Sequence, residues 1–255
     1  MKSSSDKSIR RAAALLREAR RGVALTGAGI STPSGIPDFR SPESGLWKRY
    51  DPMEVASLRA FRHNPERFFA WLREIASGIH AARPNPAHYA LVSLQQAGCI
   101  HTIITQNVDA LHQRAGARHV LEVHGSLETL TCTRCYHKFR AADYMEAYLE
   151  NGDIPRCADC GGILKPDVIL FEEQLPIQVW HQAQEAARTC DLMLVAGSSL
   201  TVMPVAGLPM QALNNNARLI IVNKAPTYID VRAEVVLRGD VAELLPLLAE
   251  ETLHG

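Results

Sequence analysis

The sequence has no excess of charge of either sign, because 27 Lys and Arg residues balance 27 Asp and Glu residues. Proteins that bind nucleic acid through an electrostatic surface usually carry a basic excess, so we expect no direct nucleic-acid partner. Long apolar runs are also missing: Gly, Pro or Asp interrupts them well short of the roughly 20 residues that a membrane span needs. We therefore expect no membrane partner, and the polar start without a secretory signal predicts a cytoplasmic protein.

Cysteine is scarce, yet four of the six cysteines form two Cys-x-x-Cys pairs, Cys132 with Cys135 and Cys157 with Cys160. A reducing compartment disfavours disulfides. The 21 residues between the pairs are slightly more than in the usual zinc-ribbon spacing, and four thiolates suit a tetrahedral zinc ion. We predict one structural zinc, with a redox pair or a free-thiol cluster as alternatives. Four protein ligands leave no open position for water, so this metal would hold a module together rather than perform hydrolysis.

Short β-rich apolar runs recur along the chain and are separated by helical segments. The runs cover 23–26, 103–105, 120–123, 192–196, 219–222 and 235–237. Continuous apolar strands are typical of a parallel sheet that is covered on both faces. Asn64 and Asn85, each before a proline, and Asp240 are expected to cap helices. We predict an α/β fold, a Rossmann-like doubly wound parallel sheet with a smaller zinc-binding domain built from insertions.

The domain assignment follows from where this alternation fails. The large Rossmann-like domain is assigned to 1–40, 80–130 and 165–255. The helical, aromatic-rich insertion 41–79 and the cysteine-bearing zinc-ribbon module 131–164 fit the alternation poorly, so together they form the small domain.

The first predicted strand runs directly into Gly27-Ala28-Gly29-Ile30-Ser31. Glycine there lets backbone amides approach a pyrophosphate, although the third glycine of G-x-G-x-x-G is replaced by Thr32. On this motif alone a tight structural turn is an equal alternative. The continuation 33–40, PSGIPDFR, is too rich in Pro and Gly for a helix. It is interpreted as a flap over a nucleotide, with an ordinary surface loop as the alternative.

Polar residues follow the other predicted strands. Gln106, Asn107 and Asp109 offer amides and a carboxylate to ribose hydroxyls or a carboxamide, or else they start a helix. His124, in Glu-Val-His-Gly, is the leading general base near neutral pH, although a lone histidine is more often structural. Further polar turns lie at 197–199 and 223–224. Because parallel strands end at one edge of a sheet, we expect these turns to form one ligand site.

These motifs resemble one family. They are GAGISTPSGIPDFR at 27–40, QNVDALH at 106–112, His124-Gly125, the four cysteines, GSS at 197–199 and VN at 222–223. The chain resembles a sirtuin over almost its whole length, and its compact size and STPSGIPDFR segment look most like bacterial protein deacetylases. The resemblance implies a protein-lysine deacetylase or deacylase that consumes NAD as co-substrate. An acyl group passes to ADP-ribose, and nicotinamide and free lysine are released.

The resemblance also implies a role for individual residues. His124 is the expected catalytic base, Asn107 is a second catalytic residue, and the four cysteines bind zinc. The expected NAD contacts are Gly27, Ala28, Gly29, Ser31, Thr32, Ile36, Asp38, Phe39, Arg40, Gln106, Asn107, Val108, Asp109, Gly197, Ser198, Ser199, Asn223, Lys224, Asp240 and Val241. The expected contacts with the acyl-lysine protein or peptide are Val168, Ile169, Phe171 and Glu172. We expect a monomer.

Two departures from the family pattern concern the substrate. Glu172 stands where the family commonly has glycine, so an anionic side chain would favour basic flanking residues or hinder close approach of the peptide. Leu72 and Ile75 replace the tyrosine and arginine of desuccinylating members, which predicts a neutral acyl group. Two other functions stay open: mono-ADP-ribosyl transfer from the same pocket, and a non-catalytic zinc-ribbon binding module that senses a nucleotide.

Overall fold

The computed structural model describes residues 2–38 and 45–255. Its strands are β1 (Gly22–Thr26), β2 (Thr102–Thr105), β3 (Val120–Glu122), β4 (Gly125–Cys132), β5 (Lys138–Arg140), β6 (Leu164–Val168), β7 (Leu192–Ala196), β8 (Arg218–Asn223) and β9 (Val235–Arg238). Its α-helices are α1 (Lys2–Glu18), α2 (Pro52–Val55), α3 (Leu58–His63), α4 (Pro65–Ala81), α5 (Pro86–Gln96), α6 (Leu111–Ala115), α7 (Ala142–Asn151), α8 (Ile177–Thr189), α9 (Leu208–Asn214) and α10 (Val241–His254). Within these residues no helix is long and apolar enough to cross a membrane.

Six strands form the large sheet in the order β3-β2-β1-β7-β8-β9, and every neighbouring pair is parallel. Alternate residues of β1 pack into two different cores. Ala24 contacts the core that α1, α5 and α10 cover, whereas Val23 and Leu25 contact the core that α8 and α9 cover. Both faces are therefore buried, which explains the unbroken apolar runs. The predicted doubly wound parallel sheet is confirmed.

The predicted helix caps are present. The side-chain oxygens of Asn64, Asn85 and Asp240 accept hydrogen bonds of 3.0, 2.9 and 2.8 Å from backbone amides in the first turns of α4, α5 and α10. A proline follows each asparagine as the first helical residue, where no amide hydrogen is needed. These caps fix where the helices start relative to the sheet.

A second, antiparallel sheet has the order β5-β4-β6. It begins at Gly125 and ends at Val168, so it extends beyond 131–164 at both ends, because β4 starts immediately after His124. The helices of the 41–79 insertion pack against it through a shared apolar cluster that includes Phe68 and Tyr148. Arg73 on α4 donates hydrogen bonds to the carbonyls of Leu149 and Glu150 at the end of α7.

Candidate active site

The turns that follow β1 and β7 touch each other at the carboxyl edge of the large sheet. The amide of Gly29 donates to the carbonyl of Gly197 at 2.8 Å. A Cβ atom at Gly29 would lie 2.8 Å from that same carbonyl oxygen, and Gly197 has a left-handed φ of 61°. Gly29 therefore has no room for a Cβ atom, and Gly197 adopts a backbone conformation that favours glycine. The turn leads into two short 3₁₀ segments, Ala28–Ile30 and Thr32–Ser34, in agreement with the prediction that no α-helix follows it.

A buried polar cluster lies between this turn and the segment after β2. Ser31 donates its hydroxyl hydrogen to Asp109 Oδ2 at 2.6 Å and accepts a hydrogen bond from Asn107 Nδ2 at 3.0 Å. Asn107 Nδ2 also lies 3.2 Å from the carbonyl oxygen of Gly27. The three side chains are at most 9% exposed. The glycine turn and the amide cluster predicted from the sequence thus form one hydrogen-bonded unit.

Asp109 lies immediately before Ala110, the N-cap of α6, and its Oδ1 accepts the amide hydrogen of Leu111, the first residue of that helix. This contact agrees with the helix-start interpretation of the 106–109 segment, while a contact of Asp109 with a ribose or a carboxamide stays a prediction. Burial raises the pKa of the Asp109 carboxyl above its usual value, while hydrogen bonds from Ser31 and Leu111 oppose the rise.

Two threonines and a histidine form a second hydrogen-bonded group, which is connected to Asn107 of the polar cluster. Thr26 and Thr105, at the ends of β1 and β2, share a 2.9 Å hydrogen bond between hydroxyls, and His112 Nε2 lies 2.9 Å from Thr26 Oγ1. The Thr105 hydroxyl in turn accepts the amide hydrogen of Asn107. Burial, and secondarily the nearby His88, lowers the pKa of His112 to about 3, so the ring is neutral at pH 7. The sequence analysis did not predict this group of hydrogen bonds. The one pattern that could have indicated it is the threonine at the end of β1 and of β2.

His124 lies between β3 and β4. Its Nδ1 is 3.0 Å from the carbonyl oxygen of Gln106, and since a carbonyl only accepts, Nδ1 carries the hydrogen in this contact. The tautomer with Nδ1–H leaves the basic lone pair on Nε2. The side chain of Gln106 donates to Ser198 Oγ at 2.9 Å, which connects the histidine loop to the turn after β7.

These groups face a cavity of about 640 Å³. The predicted residues that line it are Ala28, Ser31, Ile36, Gln106, Asn107, Val108, Asp109, His124, Val168, Ile169, Phe171 and Glu172. Leu72 and Ile75 line it too, so the acyl-specificity positions face the same space. Other apolar lining residues, including Trp47, Trp71, Leu127 and Trp180, were missed. The aromatic-rich composition of 41–79 was a signal for Trp47 and Trp71 alone.

The other predicted NAD contacts among the described residues lie outside the lining of this cavity. Ten of them lie on or beside the turns at the carboxyl ends of β1, β7, β8 and β9. These ten are Gly27, Gly29, Thr32, Gly197, Ser198, Ser199, Asn223, Lys224, Asp240 and Val241. Lys224 forms an ion pair of 2.8 Å with Asp240, the residue that caps α10. The carbonyl of Asp38 accepts the amide hydrogen of Leu46. Phe39 and Arg40 lie outside the described residues.

The segment after β6 forms one wall of the cavity. The amide of Ile169 donates to the carbonyl of His124 at 2.8 Å, and the carbonyl of Phe171 accepts the amide hydrogen of Leu58 at 2.9 Å. The predicted substrate segment is thus bonded to the histidine loop on one side and to the helical insertion on the other.

Glu172, next in this segment, has a left-handed φ of 72°, a conformation that favours glycine. Its carboxylate accepts the amide hydrogen of Arg59 at 3.2 Å. The Glu172 side chain, which was expected to face the bound peptide, is therefore also bonded to the first turn of α3.

The four paired cysteines meet at the far end of the small sheet. The Sγ atoms of Cys132 and Cys160 are 3.5 Å apart, those of Cys135 and Cys157 are 3.6 Å apart, and all four lie within 4.8 Å of one another. Tetrahedral bonds of about 2.3 Å to zinc would separate the sulfur atoms by about 3.8 Å. A Cβ atom at Gly162 would lie 2.9 Å from Cys132 Sγ, so glycine leaves room for the cluster. The donor set fits a structural zinc ion.

Comparisons with known proteins agree with this geometry. The model of the Sir2 family matches residues 27–204. NAD-dependent protein deacylase 2 of Archaeoglobus fulgidus is 46% identical over 244 residues, which cover 95% of each chain. A solved structure from work on the mechanism and regulation of Sir2 enzymes has a TM-score of 0.91 and 45% identity, covering 97% of this chain and 98% of that one. A Sir2 variant with a deacetylated p53 peptide and 3′-O-acetyl ADP ribose has a TM-score of 0.88 and 40% identity, covering 94% and 96%.

Proposed function

The chain belongs to the Sir2 family and is an NAD-dependent protein deacylase, and we propose that His124 is its catalytic base. The observation that carries the proposal is that His124 faces the same cavity as Asn107 and Asp109 while its carbonyl holds the substrate segment at Ile169. The similar structure that contains a deacetylated peptide and an acetylated ADP-ribose supports transfer of the acyl group to the ribose.

When bound, NAD supplies a ribose carbon that the acyl oxygen attacks while nicotinamide leaves. Asn107 and Asp109, fixed through Ser31, orient the nicotinamide ribose and the carboxamide by hydrogen bonds. His124 Nε2 then accepts a proton from a ribose hydroxyl, and the imidazolium is stabilised through Nδ1–H and the carbonyl of Gln106. That ribose oxygen would then bond to the acyl carbon, from which the lysine amine would leave, and one water molecule would complete the acylated ADP-ribose.

The acyl group is proposed to be neutral. Leu72 and Ile75 line the cavity beside Ile169 and Phe171, and none of these side chains can pair with an acyl carboxylate. Acetyl and longer unbranched acyl groups suit such a wall, because apolar contacts are the interactions it offers.

We also propose a zinc ion held by the four cysteines, the NAD contacts expected from the sequence, a monomeric state and a cytoplasmic location. The close approach of the four cysteine sulfur atoms supports the metal, because thiolates are common ligands of structural zinc.

The test is mass spectrometry of an acetyl-lysine peptide incubated with the protein, with and without NAD. We expect NAD-dependent loss of the acetyl group in the wild type and its loss at a rate lower by about 10²–10⁴ in His124→Ala. His181→Ala is the matched control, since His181 lines the outer part of the same cavity but has no role in the proposed reaction. Equal rates in His124→Ala and the wild type would overturn the assignment of the base, and a peptide that gains ADP-ribose would indicate mono-ADP-ribosyl transfer.

A further inference from the structure

Lys165 is a lysine whose side chain is largely enclosed by the small sheet. It lies on β6, three residues before Val168, at which that strand ends and the substrate segment begins. Its side chain is 15% exposed, whereas the side chain of Lys138 on β5 of the same sheet is 70% exposed. A lysine is seldom buried unless its charge is paired, so the partners of Lys165 indicate what the buried charge does.

The ammonium group of Lys165 has three acceptors within hydrogen-bond distance. Its Nζ lies 2.8 Å from the carbonyl oxygen of Val168, 3.1 Å from the carbonyl oxygen of Pro166 and 3.0 Å from Glu173 Oε2. An ammonium group has three hydrogens to donate, so each of them has an acceptor. Hydrogen bonds from a charged donor are stronger than those between neutral groups, and Lys165 therefore holds the carbonyl of Val168 firmly.

Glu173 connects this lysine to the middle of the substrate segment, which comprises residues 168–173. The same Oε2 atom accepts the amide hydrogen of Leu170 at 2.8 Å, and the amide of Glu173 donates to the carbonyl of Leu170 at 3.1 Å. The Glu173 side chain is 19% exposed, so the ion pair is shielded from water on both sides. The substrate segment is thus closed on itself by two charged side chains in the absence of any peptide.

The closed segment presents its side chains to the cavity. Ile169 and Phe171 line the cavity, and their backbones are bonded to the histidine loop and to the helical insertion. Lys165 is not among the described residues that line the cavity, so any effect on a bound peptide passes through the segment. A segment that is ordered before binding reduces the entropy that the peptide has to overcome.

We propose that Lys165 is a positioning residue for the acyl-lysine peptide, because its ammonium group, paired with Glu173, holds the substrate segment in the conformation that the peptide contacts. The inference rests on the proposed function, to which the peptide contacts of Ile169 and Phe171 belong. The turns expected to bind NAD follow strands of the large sheet, whereas Lys165 lies in the small sheet. Lys165 therefore affects the binding of the peptide and not the binding of NAD.

The test measures deacetylation of an acetyl-lysine peptide by Lys165→Met, which carries an uncharged side chain of similar length. We expect the KM for the peptide to rise at least about tenfold, because hydrogen bonds from a charged group are lost, while kcat and the KM for NAD stay within about threefold. Lys138→Met is the matched control, since Lys138 also forms an ion pair in this sheet, with Asp167 at 3.2 Å, and it should keep the wild-type KM.

A second variant carries the test if Lys165→Met does not fold. Glu173→Gln keeps an oxygen for the amide of Leu170 but removes the charge that faces Lys165, so it should raise the KM for the peptide about threefold. In the double variant Lys165→Met/Glu173→Gln the KM should stay as high as in Lys165→Met, because the bond to the carbonyl of Val168 is still missing.

Peptide binding is also titrated by fluorescence anisotropy without NAD, so that affinity is measured without turnover. Weaker binding by Lys165→Met, together with no deacetylation by the wild type, would support the positioning role and contradict the proposed function. Deacetylation by Lys165→Met with a wild-type KM for the peptide would overturn the positioning role and leave the function intact. An equal rise in the KM for NAD, or a wild-type KM for the peptide in the double variant, would also overturn it.

Discussion

Removal of zinc is expected to disable peptide binding while sparing NAD binding. The four cysteines join the far ends of β4 and β6, and the near ends of the same strands lead to His124 and Ile169. By contrast, the glycine turn and the turns after β7 and β8 belong to the large sheet, which has its own two cores. The metal therefore supports only the peptide side of the cleft.

The size of the effect follows from comparing the free energy that zinc contributes at the far end of the small sheet with the free energy that apolar burial contributes there. Its apolar cluster has two fully or nearly buried leucines, Leu130 and Leu164, which contribute about 3–6 kcal/mol together. Zinc in a four-cysteine site contributes an apparent binding free energy of about 10–16 kcal/mol. Without the metal the larger contribution is lost, so we expect the pairing of β4 with β5 and β6 to open.

The assay combines hydrogen exchange with two binding measurements on Cys160→Ser and on chelator-treated protein. We expect amide protection to fall in β4–β6 and to persist in β1, β7 and β8. Peptide affinity should fall by more than about tenfold, and NAD affinity should stay within about threefold. Cys99→Ser, outside the cluster, is the control and should change neither. The reasoning would be refuted if removal of the metal lowered amide protection in both sheets together. It would also be refuted if β4–β6 stayed protected after the metal was removed.

Three further changes have expected outcomes. His124→Ala should lower the rate of deacetylation by about 10²–10⁴ while nicotinamide exchange into NAD persists, because the base acts after nicotinamide leaves; loss of exchange would contradict this order. Asp109→Asn should weaken NAD binding. Because the pKa of Asp109 is raised in the folded state, the wild type loses stability as this carboxyl ionises, so the stability of the variant relative to the wild type should increase as pH rises above the usual aspartate pKa. A difference in unfolding free energy that does not change with pH, measured by urea unfolding, would contradict this. Gly29→Ala should lower Tm and raise the KM for NAD because its Cβ meets a carbonyl at 2.8 Å, whereas Gly78→Ala, with open space, should raise Tm slightly; equal shifts would argue against the contact.

Much of the large domain was predictable from local patterns. Buried parallel strands have to be apolar on both faces, so the 192–196 run matches β7 residue for residue. The asparagine-proline pairs at 64–65 and 85–86 mark the starts of α4 and α5, because capping is a local interaction. The cysteine cluster was equally accessible, since the ligand spacing is fixed by the geometry of the ion.

The parts that escaped prediction depend on contacts between segments distant in sequence. His112 reaches Thr26 across 86 residues, and no local pattern marks that pair. The contact of Glu172 with the amide of Arg59 spans 113 residues and could not be inferred from a glycine replaced by glutamate.

The fate of the acetyl carbon tests the central claim most directly. A peptide with a ¹³C-labelled acetyl-lysine is incubated with the protein and NAD, and the products are quantified together by mass spectrometry. The account predicts that the label appears on ADP-ribose, with one nicotinamide and one free lysine formed for each labelled product. Label released as free acetate without NAD consumption, or label retained on a peptide that has gained ADP-ribose, would contradict it.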